Sequence, residues 1–167
     1  MRSAVPAAVL RRRHAGVLAL VAFGTACGTE ITSTREGALE VIEEVTFAPS
    51  LEIDLSAMTR LPSGVYVEDL VVGSGNSLAL GDHADVRYVG WLRTGVQFTQ
   101  GETRFLMGNR EVIAGFEQGV TGMKAGGSRR MIIPPALAFG NALNGAVPPG
   151  AVVIYEVELT AIERPAG

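Results

Sequence analysis

At 167 residues the chain is long enough for one ordinary domain with an extension and too short for two domains with cores of their own. Its composition, 47% hydrophobic with 21 glycines, favours short strands and many turns over a bundle of long helices. A formal charge of −3 with no concentrated face of Lys and Arg argues against a nucleic-acid partner.

The first expected element is an export signal over residues 1–26. Arg2, Arg11, Arg12 and Arg13 precede "AGVLALVAFGTA", residues 15–26, which is uncharged and shorter than a membrane-crossing helix. Cys27, the only cysteine, follows Thr25 and Ala26, and resembles the lipidated cysteine of bacterial lipoproteins, although Gly24 stands where those signals usually carry a leucine-like residue. An ordinary secretory signal with Cys27 as a spectator is the alternative, and a twin-arginine signal lacks the rest of its motif. With a single cysteine no intramolecular disulfide can form, so the exported domain must be stable from its core. Cleavage before Cys27 would remove four of the 14 basic residues and none of the 17 acids, leaving −7.

Residues 27–60 concentrate acids: Glu30, Glu36, Glu40, Glu43, Glu44, Glu52 and Asp54 face a single basic residue, Arg35, before Leu55. The expectation is a solvated, partly ordered tether from a lipid anchor, with "VTFAPSLEIDL" able to dock as an extra strand.

From residue 61 to 164 the pattern is that of a folded domain. "VYVEDLVVG", "DVRYVGWL" and "TRFLMG" are rich in β-branched and aromatic residues and end at glycine, which predicts strands. In "EVIAGFEQGVTGM" the spacing of Ile113, Phe116, Val120 and Met123 predicts one helix face; Gly115 and Gly119 inside it each cost about 1 kcal/mol against alanine, so it should be stable only when packed. "SRRMIIP" returns to strand character. In "VVIYEVELTAI" Val153, Tyr155, Val157 and Leu159 alternate with Ile154, Glu156, Glu158 and Thr160, predicting one buried and one wet face. Strands outnumbering one amphipathic helix give an α+β domain with an antiparallel sheet curled over the helix.

Most catalytic constellations are absent. The histidines are His14, inside the signal, and His83, so no histidine cluster exists to hold zinc and any histidine-based triad would depend on His83 alone. "GVTGMKAGG" lacks the ending of a phosphate-binding loop, and Ser74 in "VGSGN" reads as a surface turn rather than a nucleophile elbow. What remains is an aromatic and aliphatic set clustered around glycines, which composition alone would allow to be simply the core of a small domain.

Order and spacing add to this. "VRYVGWLRTGVQF", "FLMGNREVIAGFEQGVTGMKAGGSRRMIIPPALAFG" and "VPPGAVVIYEVEL", spanning residues 64–163, together resemble the FKBP family of peptidyl-prolyl cis/trans isomerases. The resemblance implies an antiparallel half-barrel around one short helix, with the site between them and no cofactor or metal. It implies Tyr88, Phe98, Thr99, Phe139 and Tyr155 as catalytic residues, and Phe105, Val112, Ile113, Phe116 and Val147 as substrate-binding residues. Phe116 would form the floor, where many members carry tryptophan, and the Ile113 N–H would donate to a ligand carbonyl. With Cys27 lipidated, it implies a membrane-anchored exported enzyme of the bacterial cell envelope acting on proline-containing exported polypeptides, with macrolides as further ligands. Two departures stand out: Thr99 replaces the usual aspartate and Phe139 the usual tyrosine. The stretch between Phe98 and Phe105 is shortened, Thr103 replaces an aromatic, and the loop after Gly140 is one residue shorter than the commonest form. These departures favour the alternative of a binding module, a holdase or adaptor that grips such segments without turnover.

Overall fold

The β-branched and aromatic stretches form six strands in the computed structural model, which describes residues 38–165: β1 (Thr59–Arg60), β2 (Tyr66–Val71), β3 (His83–Leu92), β4 (Gln97–Leu106), β5 (Gly127–Ile133) and β6 (Val153–Glu163). All neighbours pair antiparallel in one sheet of order β1-β2-β5-β6-β3-β4. A single short helix, α1 (Ala114–Val120), packs on one face. This is the α+β arrangement of an antiparallel sheet over one helix that the strand and helix periodicities predict, and the half-barrel that the resemblance implies. The export signal and Cys27 lie outside the described residues.

The main core fills the space between helix and sheet. Val153, Tyr155, Val157 and Leu159 of β6 are all buried there, with Val86, Phe105, Phe116, Val120 and Met131. The expected helix face is present, but the helix itself is shorter than its apolar period: Ile113 is the extended residue before its first turn, and Met123, although buried, follows the turn at Gly122. Arg129 closes the far end, its Nη1 donating to the carbonyls of Gly119 (2.8 Å) and Thr121 (3.3 Å).

The two helix glycines have a packing reason. A Cβ on Gly115 would lie 2.2 Å from Ile133 Cγ2 and 3.1 Å from the Leu137 carbonyl, and one on Gly119 would lie 2.1 Å from Met131 Sδ. Their absence lets the helix approach β5 closely. Gly115→Ala should therefore destabilise the domain: the gain in helix propensity is about 1 kcal/mol, whereas overpacking against a β-branched side chain and a fixed carbonyl costs about 1–3 kcal/mol. Urea unfolding should show a lower midpoint at unchanged slope; an equal or higher midpoint would contradict this packing.

The segment before β2 differs from the solvated tether expected over residues 27–60. In its described part, residues 38–60, Ile42 and Met58 are buried and Phe47, Leu51, Ile53 and Leu55 pack with them on Tyr66, Trp91, Ile132, Val152 and Ile154. This forms a second core on the sheet face opposite the helix. It also explains why Ile154 is 1% exposed, whereas the alternation of β6 predicts a wet face. Only Thr59 and Arg60 pair as a strand, opposite Val67 and Tyr66. The acids turn outward or find partners: Glu43 accepts from the Tyr66 hydroxyl (2.7 Å) and Arg60 Nε (3.3 Å).

Asp82 anchors the end of the chain. Its carboxylate accepts two bonds from Arg164, Oδ1 from Nε (2.9 Å) and Oδ2 from Nη2 (3.0 Å), and Oδ2 also accepts the Ala79 N–H. The bonds from Arg164 are the main reason its pKa lies below the ordinary aspartate value. A lowered folded pKa means that ionised Asp82 stabilises the fold above the unfolded value, about 3.9, and that this is lost as pH falls through the folded value. Arg164→Gln should therefore move the midpoint of acid unfolding to higher pH; an unmoved midpoint would show that the pair contributes nothing.

Candidate functional site

Between α1, β3, β4, β6 and the loop after Phe139 lies a cavity of about 450 Å³. Its floor is Phe116, held edge-on by three rings: Tyr155 at 5.4 Å between centroids, Phe105 at 6.0 Å and Tyr88 at 6.1 Å. Such perpendicular pairs set each ring's edge against its neighbour's face and fix their orientation.

One wall is made by a backbone irregularity. Across β3 and β4, Gly90 pairs with Thr99 and Trp91 with Gln97, which leaves Phe98 as the extra residue of a β-bulge. The bulge re-aims the Phe98 side chain into the cavity, where it meets Tyr155 at 5.6 Å and Phe139 at 6.3 Å, both edge-on. Gly90 is required behind it: a Cβ there would stand 2.7 Å from Thr99 Cγ2, 2.9 Å from Phe98 Cζ and 3.0 Å from Tyr155 Cε1.

Eight of the ten residues expected at the site line the cavity: Tyr88, Phe98, Thr99, Val112, Ile113, Phe116, Phe139 and Tyr155. Phe105 and Val147 do not. They are 2% and 1% exposed and stand behind the wall in the core, Phe105 supporting the floor ring and Val147 behind Ala146. The reason is alternation: Thr103, two residues from Phe105 on the same face of β4, holds the position nearer the opening.

Five further residues line the cavity: Thr103, which the sequence marks only as a departure from the family pattern, and Glu111, Asn144, Gly145 and Ala146, which it does not mark. Glu111 adds an anion to the rim. Its Oε1 accepts from Asn109 Nδ2 (2.6 Å) and its Oε2 from the Leu106 N–H (3.1 Å), and these bonds, Asn109's first, hold its carboxyl below the usual range. Its place directly before Val112 was the available signal. Asn144, Gly145 and Ala146 form a tight turn in which Asn144 and Val147 exchange backbone bonds at 3.2 and 2.8 Å. An Asn-Gly pair is the mark of such a turn, but nothing local points it at the pocket.

The polar groups are few. The Ile113 carbonyl accepts the Phe116 and Glu117 N–H groups, so the chain enters the helix with the Ile113 backbone at the cavity wall. Burial, with a smaller contribution from Tyr88, pushes the Tyr155 phenol up to about 12, so it keeps its proton throughout the neutral range and remains a hydrogen-bond donor. Thr99 contributes an uncharged hydroxyl, and Phe139 none. The arrangement can seat a compact apolar group against Phe116 and bond a few polar atoms around it; it presents no nucleophile with an adjacent base among the described residues.

Comparison with known proteins agrees with this geometry. The Dictyostelium discoideum protein "FK506-binding protein 4" is 44% identical over 110 residues, covering 64% of this chain and 30% of that protein. One of the same name from Mycosarcoma maydis is 38% identical over 109 residues, covering 63% and 29%. The chain thus matches less than a third of the length of these relatives. Among solved structures, that of AtFKBP13 superposes with a TM-score of 0.59 at 31% identity, covering 62% of this chain and 97% of that one. A peptidyl-prolyl cis-trans isomerase from Pseudomonas syringae gives 0.59 at 28% identity, covering 65% and 82%. Residues 75–160 match the family described as FKBP-type peptidyl-prolyl cis-trans isomerase, and this stretch contains every residue lining the cavity. By fold, site and sequence, the chain belongs to the FKBP-type peptidyl-prolyl cis-trans isomerase family.

Proposed function

We propose that the protein catalyses cis/trans isomerisation of Xaa-Pro bonds in exported polypeptides, from a cell envelope to which a lipid on Cys27 anchors it. The observation that carries the catalytic part is the cavity's construction: four aromatic rings, Tyr88, Phe98, Phe116 and Tyr155, packed edge-on around a space with room for a proline ring and its flanking peptide.

The chemistry needs little else. Rotation about a peptide C–N bond costs roughly 18–20 kcal/mol because amide resonance must be broken, and an uncatalysed Xaa-Pro bond isomerises over tens to hundreds of seconds. The planar amide is the more charge-separated form. Twisting returns the lone pair to nitrogen and removes negative charge from the carbonyl oxygen. A desolvated apolar slot therefore favours the twisted state over the planar one, without a covalent intermediate. A rate gain of about 10⁴ requires only about 5.5 kcal/mol of such differential stabilisation. In this reading Phe116 receives the pyrrolidine ring, Phe98, Tyr88 and Val112 exclude water, and the Ile113 N–H and the Tyr155 hydroxyl hold carbonyls of the bound segment. The same slot would accept a macrolide, in keeping with the names of the relatives.

Thr99 and Phe139 favour a second reading, a module that binds without turnover, because both offer less to orient a substrate than the residues the family usually carries. Refolding of a client whose slow phase is limited by proline isomerisation separates the two. An isomerase accelerates that phase at substoichiometric concentration; a holdase slows or merely delays refolding and does so stoichiometrically. For the anchor, incorporation of labelled fatty acid should be lost in Cys27→Ser, and equal labelling of both proteins would remove the lipid from the proposal.

A further inference from the structure

Glu40 lies outside the family match, on the segment that crosses the back of the sheet, yet it is bonded to the supports of both walls of the cavity. Its N–H donates to the Gly150 carbonyl (2.8 Å) and its Oε2 accepts the Val152 N–H (2.8 Å), so it grips the backbone on either side of Ala151. The Gly150 N–H in turn donates to the Gly140 carbonyl (2.7 Å), closing the neck of the loop that presents Asn144, Gly145 and Ala146 to the cavity. Its Oε1 accepts from Arg93 Nε at 2.6 Å. Arg93 opens the turn between β3 and β4 that leads into Phe98 and Thr99, and its own carbonyl accepts the Ala48 N–H (2.8 Å). The fit at the loop neck is close: Gly150 has φ +75°, and a Cβ on it would lie 2.6 Å from the Ala38 carbonyl oxygen.

We propose that Glu40 is a positioning residue that sets the width of the substrate cavity by tying the 140–150 loop to the Phe98 wall. The inference rests on the assignment of this cavity as the substrate site. Apart from Val147, which is buried in the main core, and the Gly140 N–H, which donates to the Pro135 carbonyl (2.8 Å), the loop has little other footing. Within it, the bonds from Ala142 to Phe139 and between Asn144 and Val147 are local, and Leu143 near its tip is 74% exposed. A loop held mainly at its neck opens by local fluctuation when the neck is released, while the strands beneath remain closed. Glu40 is only partly exposed, and the two bonds its carboxylate accepts, from Arg93 Nε and from the Val152 N–H, are charge-assisted.

The test compares the full chain with Glu40→Gln and Glu40→Ala. Glutamine can keep an oxygen on the Val152 N–H but presents no anion to Arg93; alanine leaves only the backbone bond. Turnover of a proline peptide should show KM rising about tenfold in Glu40→Ala, which loses both carboxylate bonds, and less in Glu40→Gln, with kcat little changed, the effect of a loosened ground-state fit. Residue-resolved amide hydrogen exchange should quicken in residues 140–150 and leave Met131 and Tyr155 protected. A lower melting temperature with unchanged KM, or exchange quickened uniformly across the sheet, would overturn the proposal and leave Glu40 as a structural residue. If the wild type neither turns over nor binds the peptide, the cavity's assignment falls, and with it the role of Glu40 in substrate fit. The exchange data would then still report whether Glu40 holds the loop.

Discussion

Phe116→Ala should cost the domain about 3–5 kcal/mol of stability and remove binding of proline peptides. Phe116 is 4% exposed and is the one ring in edge contact with Tyr88, Phe105 and Tyr155 together. Removing it deletes the floor of the cavity and leaves three aromatic side chains without the face they pack on. Part of the loss is transfer free energy and part is the void, since Gly115 and Gly119 already bring α1 as close to β5 as the side chains allow and little further collapse is possible. A second variant separates floor from fold. Phe116→Trp, the residue many relatives carry, should retain binding with a smaller stability change, because the cavity is open above the floor and can take up the added ring. Thermal melts and peptide titration of the two variants check both halves. A Phe116→Ala protein that melts near the wild type and still binds would show that the ring is not the floor.

Thr99→Asp combined with Phe139→Tyr should raise kcat/KM by as much as about a hundredfold. Each change adds one polar contact at a wall already shaped for a peptide, and one such contact contributes about 0.5–1.5 kcal/mol, up to about tenfold in rate. Phe139 sits edge-on to Phe98 at 6.3 Å, so a hydroxyl on its ring extends the wall without moving it. Thr99 faces the cavity from β4 opposite Gly90, where a carboxylate remains within reach of solvent through the opening. The single variants should account for the double within the coupling expected of neighbours. A double variant no faster than the wild type would mean that the apolar slot alone sets the rate.

Much of this fold is legible in residue spacing because burial has a period. β6 reads directly, since Val153, Tyr155, Val157 and Leu159 all serve one core. β4 reads poorly. It begins at Gln97, six residues before the stretch that sequence patterning marks, because Thr99 and Thr103 line the cavity as small residues instead of filling it, and Gly101 between them leaves room for the Tyr88 ring. A strand that lines a pocket lacks the apolar alternation that identifies a strand in a core. Residues 38–60 fail for the opposite reason. Their apolar side chains are spaced for an irregular path over a sheet face, so neither helical nor strand periodicity registers, and the seven acids among residues 28–55 dominate the composition. The site residues follow the same division only in part, since Phe98 and Thr99 on β4 and Val112, Ile113 and Phe139 in loops are reached through the family resemblance rather than through periodicity. Those in the regular framework of α1, β3 and β6 are recoverable from their order along the chain. Glu111 and the turn at Asn144 are joined to the cavity only by loops, whose course depends on contacts such as Glu40 with Gly150 and Val152 that no local pattern encodes.

The central claim is that an apolar slot lacking the usual acid and tyrosine still lowers the barrier to prolyl rotation. The direct measurement is the exchange rate between cis and trans forms of a short Xaa-Pro peptide, followed by magnetisation transfer with catalytic amounts of the wild-type protein. Exchange accelerated in proportion to protein concentration, and suppressed by a macrolide that fills the cavity, is the predicted result. Peptide resonances that shift on binding while the exchange rate stays at its uncatalysed value would contradict it and leave a binding module in an isomerase fold.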